Sequence, residues 1–422
     1  MEAEFSAKEG DINLSENRQQ WMSRHIDAAT TELLKADAQV FLHQSLSTPC
    51  MDVLTGAAGI YIINQQGKKY MDFHGNSVHQ LGYQNKYITD RVKAQMDTLA
   101  FSPRRFTNVP AIQLAERLTT GALSRVLFAP GGTSAIGMAL KLARVVTGKY
   151  KTISLYDSFH GASLDSISVG GEYQFHQDMG PLLTGSIHVP PPDIHRGIWK
   201  DEMMYADYIE YVIEKEGDIG ALVAETIRST DVIIPSKAYW KRLREICSKN
   251  GVLLILDEIP ICMGRTGTLY AFQQYGIEPD ILVLGKGLGA GLIPMAAMLC
   301  KEEYNKAAHL SLGHYTHEKN PLGAAAALAA LDYMEEHKIL DHVKEMEAHI
   351  ATRLERFKHR GKGMLWAIEA GNAEQALYRC LEQGLSFKVS SGRVLSLYPP
   401  LITTREEMDQ ALDIIITAIT EP

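Results

Sequence analysis

An α/β protein is predicted, with a mainly parallel sheet covered by helices on both faces and a smaller α+β unit beside it. Three observations carry this. Short, continuously apolar runs such as Gly251-Val-Leu-Leu-Ile-Leu-Asp257 alternate with stretches of helical periodicity, the pattern of strands buried on both faces. The chain has 422 residues, too long for one simple core. It is 45% hydrophobic and 22% charged, the balance of an ordinary globular protein.

In chain order, residues 1–10 are expected to be unstructured and residues 16–42 helical, with Trp21, Ile26, Leu33 and Leu34 among polar residues. Residues 59–73 read as a hairpin with Gly67 in the turn. The alternation then begins. Strands are expected at 126–129, 151–155, 219–225, 251–257 and 280–284, and helices at 135–146 and 239–249. The three prolines at 190–192 open a bending loop. A long Ala/Leu-rich helix follows Asn320, then charged helices to about Lys358, then strands near 364–369 and 394–397. Two domains are expected: a large unit over 76–320, and a small one built from both chain ends, 1–75 and 321–422.

The net charge of −8 and the lack of a long basic run argue against nucleic acid or an anionic membrane as partner. Five scattered cysteines (Cys50, Cys247, Cys262, Cys300 and Cys380), with no C-x-x-C pair, read as reduced thiols of a cytoplasmic protein. Residues 1–17 are polar and acidic, so no secretory signal is expected, and no apolar run approaches the length of a membrane span.

Four features fall at the C-terminal ends of expected strands, where open α/β sheets bind ligands. Asp257 ends the apolar strand 252–256. A carboxylate there needs a partner, and a protonated pyridine nitrogen is a suitable one; a strand-end aspartate capping a turn fits equally well. Lys286 stands among glycines in Leu284-Gly-Lys-Gly-Leu-Gly-Ala-Gly291, where a partly desolvated amine becomes a better nucleophile and base. The alternative is a surface lysine in a flexible loop. In Ala129-Pro-Gly-Gly-Thr-Ser-Ala135, Gly132 and Thr133 open a helix whose N–H groups suit a phosphate, or whose hydroxyls simply cap it. Phe159 follows the strand 151–155 and could stack on a flat ring or join the core.

These residues, in this order, resemble the class III (ω-) aminotransferase family of fold-type I pyridoxal-phosphate (PLP) enzymes along nearly the whole chain. The densest match runs from Leu243 to Gly291, through Asp257-Glu258, Gly264-Arg-Thr-Gly267, Pro279-Asp280 and Leu284-Gly-Lys286-Gly-Leu-Gly289. Further matches are Phe159-His-Gly161, Asn320-Pro-Leu322 and Pro399-Pro-Leu401. The resemblance implies a large three-layer αβα domain and PLP carried by Lys286 as a Schiff base. It also implies that Asp257 pairs with the ring nitrogen, Phe159 stacks on the ring, and Gly132 and Thr133 hold the phosphate. His160 and Glu225 are expected at the cofactor too. A homodimer is implied, with Thr316 reaching the phosphate in the other subunit.

The departures are informative. Pro260 stands where the family commonly has a Gln that contacts the cofactor's phenolic oxygen, and Glu225-Thr-Ile-Arg-Ser-Thr-Asp-Val232 replaces a usual Glu-Pro segment. Two residues before Tyr398-Pro-Pro400 the family commonly carries an Arg that binds a substrate carboxylate; here it is Ser396. Arg393, three residues away in a strand, points to the opposite face. A one-substrate β-elimination from a small primary amine, ending in an aldehyde and ammonia, is therefore expected over transfer to a keto acid. Residues 129–138, 101–107 and 317–321 are similar to the phospholyase and ammonia-lyase branch, which implies an aminophosphonate that loses water and yields phosphonoacetaldehyde. Arg104, Arg105, Arg228 and Lys319 are candidates for its anion, each equally explicable as a solvated or ion-paired charge. The alternatives are a class III aminotransferase acting on an ω-amine or amino acid, an isomerase of the same fold, and a non-catalytic binding protein.

Overall fold

The structure is a computed structural model that describes residues 15–44 and 49–420. The expected unstructured residues 1–10 lie outside the described ones.

The helix expected over 16–42 is two: α1 (Glu16–His25) and α2 (Ala28–Val40). Asp27 divides them. It takes an extended conformation and its side chain accepts from Thr30 N, so the helix restarts there. Trp21 on α1 is buried against Tyr378. The hairpin forms as expected from β2 (Tyr61–Asn64) and β3 (Lys69–Asp72), with Gly67 at φ +80°. An unexpected strand, β1 (Leu54–Ala58), joins it; its sequence, Leu-Thr-Gly-Ala-Ala, carries little strand preference of its own. Two helices follow, α3 (Lys86–Thr98) and α4 (Val109–Leu118), capped by Asn85 and Asn108.

The central sheet then begins with β4 (Leu123–Ala129), α5 (Gly132–Thr147) and β5 (Lys151–Leu155). The short α6 (Leu164–Val169) and α7 (Tyr173–His176) lead to β6 (Ser186–Val189). Next come α8 (Glu202–Glu216), β7 (Ile219–Glu225), α9 (Lys237–Asn250), β8 (Leu253–Asp257), β9 (Ile281–Leu284) and β10 (Ala296–Lys301). Seven strands lie in the order β4-β10-β9-β8-β7-β5-β6. Those from β9 to β6 are parallel, whereas β10 runs against both neighbours. Neither β6 nor β10 was expected. The first is a four-residue edge strand, and the second, Ala-Ala-Met-Leu-Cys-Lys, opens on two alanines of little strand preference.

Successive residues of β8 enter two separate cores. Leu254 and Leu256 join the one that holds Trp240 and Leu243 of α9; Leu253 and Ile255 join the one that holds Ile136 and Leu140 of α5. That alternation is the three-layer αβα arrangement.

The chain continues through α10 (Pro321–Glu336), α11 (Ile339–Arg353), β11 (His359–Lys362), β12 (Leu365–Glu369) and α12 (Ala373–Glu382). It closes with β13 (Leu385–Ser386), β14 (Lys388–Ser390), β15 (Val394–Leu397) and α13 (Arg405–Thr420). A second sheet, β11-β12-β15-β14, is antiparallel throughout. In the third, β13 pairs in parallel with β3, joining Leu385 to Met71. α10 packs on α3 and α4.

Candidate active site

β4, β5, β7, β8 and β9 all end at one edge of the central sheet, because β10 is the strand that runs the other way. The residues just past those ends line a cavity of about 630 Å³. Asp257, Gly132, Thr133, Phe159, His160, Glu225 and Lys286, all named from sequence, line it together. A cavity of this size suits a cofactor with a small substrate.

Asp257 is 1% exposed. Its Oδ1 accepts from Ile259 N at 2.9 Å, and its Oδ2 lies 2.8 Å from Nδ1 of His160. A carboxylate only accepts, so Nδ1 carries the proton in that pair. His160 is also buried, and its Nε2 has no hydrogen-bond partner among the described residues. It therefore orients Asp257 as well as bordering the cavity. Glu225 sits beside Asp257 in the β7–β8 register. It accepts from Phe159 N at 3.4 Å and Ser229 N at 3.1 Å, holding the aromatic loop to the segment after β7. Burial pushes the Glu225 carboxyl above the ordinary range, against the pull of Arg228.

Lys286 opens a single 3₁₀ turn at φ +46°, an unusual backbone for a side-chain-bearing residue. The glycines around it make room for protein. A Cβ on Gly285 would lie 3.1 Å from Ile259, and one on Gly287 would lie 2.4 Å from Gln80. Gly161, at φ +127°, lets its loop close on α5, since a Cβ there would fall 2.3 Å from Thr133 Oγ1. The Thr133 hydroxyl is engaged by Ser163 and Ser166, each at 2.8 Å. Helix α5 begins at Gly131 with no side-chain cap among the described residues, so its first N–H groups are left for a ligand in the cavity.

These residues fit PLP. An uncapped helix N-terminus suits a phosphate, and a buried carboxylate held by two donors suits a protonated ring nitrogen. A lysine amine beside them suits an aldehyde, and Phe159 offers a face to a flat ring.

A family model of aminotransferase class-III matches residues 44–419. This chain belongs to the class-III aminotransferases. Its cofactor is pyridoxal phosphate. Among characterised relatives, the (R)-1-hydroxy-2-aminoethylphosphonate ammonia-lyase of Vibrio splendidus (strain 12B01) is 51% identical, covering 100% of this chain and 96% of that protein. The acetylornithine aminotransferase of Aquifex aeolicus (strain VF5) is 32% identical over 85% of this chain and 94% of its own. Among solved structures, the taurine:2-oxoglutarate aminotransferase of Bifidobacterium kashiwanohense, in complex with PLP and glutamate, is 25% identical. It superposes with a TM-score of 0.86 over 93% of this chain and 97% of that one.

The remaining class-III site candidates lie elsewhere. Arg228 does not line the cavity. It is buried behind it, 3.2 Å from Asp231, and its Nε and Nη2 have no hydrogen-bond partner among the described residues. The guanidinium is held in a buried ion pair with Asp231, and Glu225 also attracts its charge. Arg104 and Arg105 are exposed in a turn, and Thr316 and Lys319 are exposed in a second segment. The two segments pack together: Asn108 Nδ2 donates to Lys319 O at 2.8 Å, and the rings of Phe101 and His317 are 5.3 Å apart. None of the four borders this chain's own cavity.

Ser396 is fully buried and donates to Thr230 O at 2.7 Å. Pro260, Ser229, Tyr398, Asn76 and Lys388 also line the cavity. Pro260 and Tyr398 carried a signal as family positions, whereas Asn76 and Lys388 had no motif to mark them.

Proposed function

We propose that this chain is a PLP-dependent lyase that takes (R)-1-hydroxy-2-aminoethylphosphonate, expels water and then ammonia, and releases phosphonoacetaldehyde. The observation that carries the reading is Ser396. In the position that would hold a carboxylate-binding Arg, a short hydroxyl is turned into a backbone carbonyl and is satisfied there. A site without that guanidinium is poorly equipped for the keto acid that transamination requires. The relative that is 51% identical over the full chain supports the choice of substrate.

Bound PLP supplies an electron sink next to the amine-bearing carbon. The protein does the rest. Lys286 binds the cofactor, and its amine then accepts the proton from the carbon that bears nitrogen. Asp257 keeps the ring nitrogen protonated, held in place by His160 and the Ile259 N–H. Hydroxide leaves the adjacent carbon with a proton, as water. Hydrolysis returns one water, so the net products are phosphonoacetaldehyde and ammonia.

The reading includes a cytoplasmic homodimer. Its large unit spans 76–320, and its small unit is formed by 1–75 and 321–422. Thr316, Arg104, Arg105 and Lys319 would serve the partner's site. In support, the same face exposes Phe101, Phe106 and Val109, and Leu292 at the cavity is 40% exposed. Among the described residues, no helix is long and apolar enough to cross a membrane.

Pure enzyme given the aminophosphonate without any keto acid should release ammonia. Strict dependence on pyruvate or 2-oxoglutarate would reject the lyase in favour of an aminotransferase. Lys286→Ala should abolish both the yellow absorbance of the bound cofactor and turnover.

A further inference from the structure

The aminophosphonate carries its negative charge at the end away from the amine, and the cavity must supply a cation for it. Among the described residues that line the cavity, the primary amines are Lys286 and Lys388, and there is no arginine. Lys286 is taken by the cofactor, so we infer that Lys388 binds the phosphonate.

The strand register supports this. Lys388 on β14 lies directly across from Ser396 on β15. Directly paired residues of antiparallel strands project from the same face. Ser390, two residues along β14, projects with them: its hydroxyl lies 3.1 Å from that of Ser396, and both donate to Thr230 O, at 2.8 and 2.7 Å. Thr230 itself lines the cavity. This face of the β14–β15 pair is therefore the cavity face, and its cation stands one strand over from the position at which a keto-acid enzyme would place Arg. The chemical type has changed with it. A guanidinium presents a planar fork to a planar carboxylate, whereas an ammonium is a compact charge whose three donors rotate to meet tetrahedral oxygens. The pairing of Ser396 with Lys388 thus gives up the planar fork for a carboxylate and keeps a charge that a tetrahedral dianion can use. Lys388 is half-buried.

This inference rests on the proposed lyase reading for its substrate, and the test separates the two. Kinetics of ammonia release would be measured for wild type, Lys388→Met, Lys388→Arg and an Arg104→Ala/Arg105→Ala double variant. Methylphosphonate would serve as competitor, and its binding would also be read as a perturbation of the cofactor absorbance. Lys388→Met should raise KM about 10- to 100-fold, the range for losing one charge-assisted hydrogen bond, with kcat changed far less. It should also lose methylphosphonate binding while keeping the cofactor absorbance, and Lys388→Arg should recover part of the affinity. Unchanged KM and methylphosphonate binding in Lys388→Met would overturn the inference, as would loss of the cofactor from that variant. A KM rise confined to the Arg104/Arg105 variant would assign the phosphonate to the partner subunit instead. If wild type releases no ammonia, the lyase reading fails, and methylphosphonate binding still decides whether Lys388 is an anion site.

Discussion

Asp257 is fixed in the interior by two donors, His160 Nδ1 and Ile259 N. Replacing His160 by Phe strands one buried oxygen, a cost of about 1–3 kcal/mol. Turnover should fall at least tenfold while the cofactor is retained, and the pH profile of kcat should shift; His160→Gln, which can still donate, should fall less. Steady-state kinetics across pH with the absorbance spectrum checks this. Glu258, next in sequence, has a different task. It accepts from Thr226 Oγ1 and from the N–H groups of Ala271 and Phe272. Burial nevertheless pushes its carboxyl up to about 7 from an ordinary 4.5. A raised folded-state pKa means that Glu258's contribution is fully present below about 4.5 and is lost as pH rises through 7. Thermal melts of Glu258→Gln should therefore lose less stability than wild type between pH 5 and pH 8.

At the scale of elements, α5 is the part built for an anion. Its N-cap is Gly131, with extended backbone and open space where a Cβ would stand. Gly131→Asp should place a carboxylate on the N–H groups left for the phosphate. The apo protein should gain up to about 1 kcal/mol from the new cap, while PLP affinity should fall tenfold or more. Melting of the apo form together with cofactor titration tests both halves, and tighter PLP binding would refute the assigned role. The helices and strands misjudged in sequence have local causes. Asp27 divides a continuous helical pattern because its carboxylate caps the second helix, and β10 is hidden because it opens on two alanines of little strand preference.

At the scale of the whole molecule, the exposed pair of segments at 101–108 and 316–319 sets the expectation of shared sites. Sedimentation should give twice the 46.8 kDa chain mass. Subunits carrying Lys286→Ala, mixed and re-associated with subunits carrying Arg104→Ala/Arg105→Ala, should turn over low substrate faster than either parent, because each hybrid keeps one intact site. Failure to exceed the parents in verified hybrids would place those arginines outside the neighbouring site.

The layered αβα fold, the strand ends and the positions of Asp257 and Lys286 were legible in the sequence because each rests on local order. Apolar runs, glycine turns and motif spacing are properties of contiguous residues. The hydrogen bond from His160 to Asp257 was not, nor were the cavity position of Lys388 and the ion pair of Arg228 with Asp231. His160 and Asp257 are 97 residues apart in the chain, and β3 and β13 join distant ends. Lys388 acquires meaning only through its register opposite Ser396. Such contacts are set by packing between elements, which leaves no period or spacing along the chain to read.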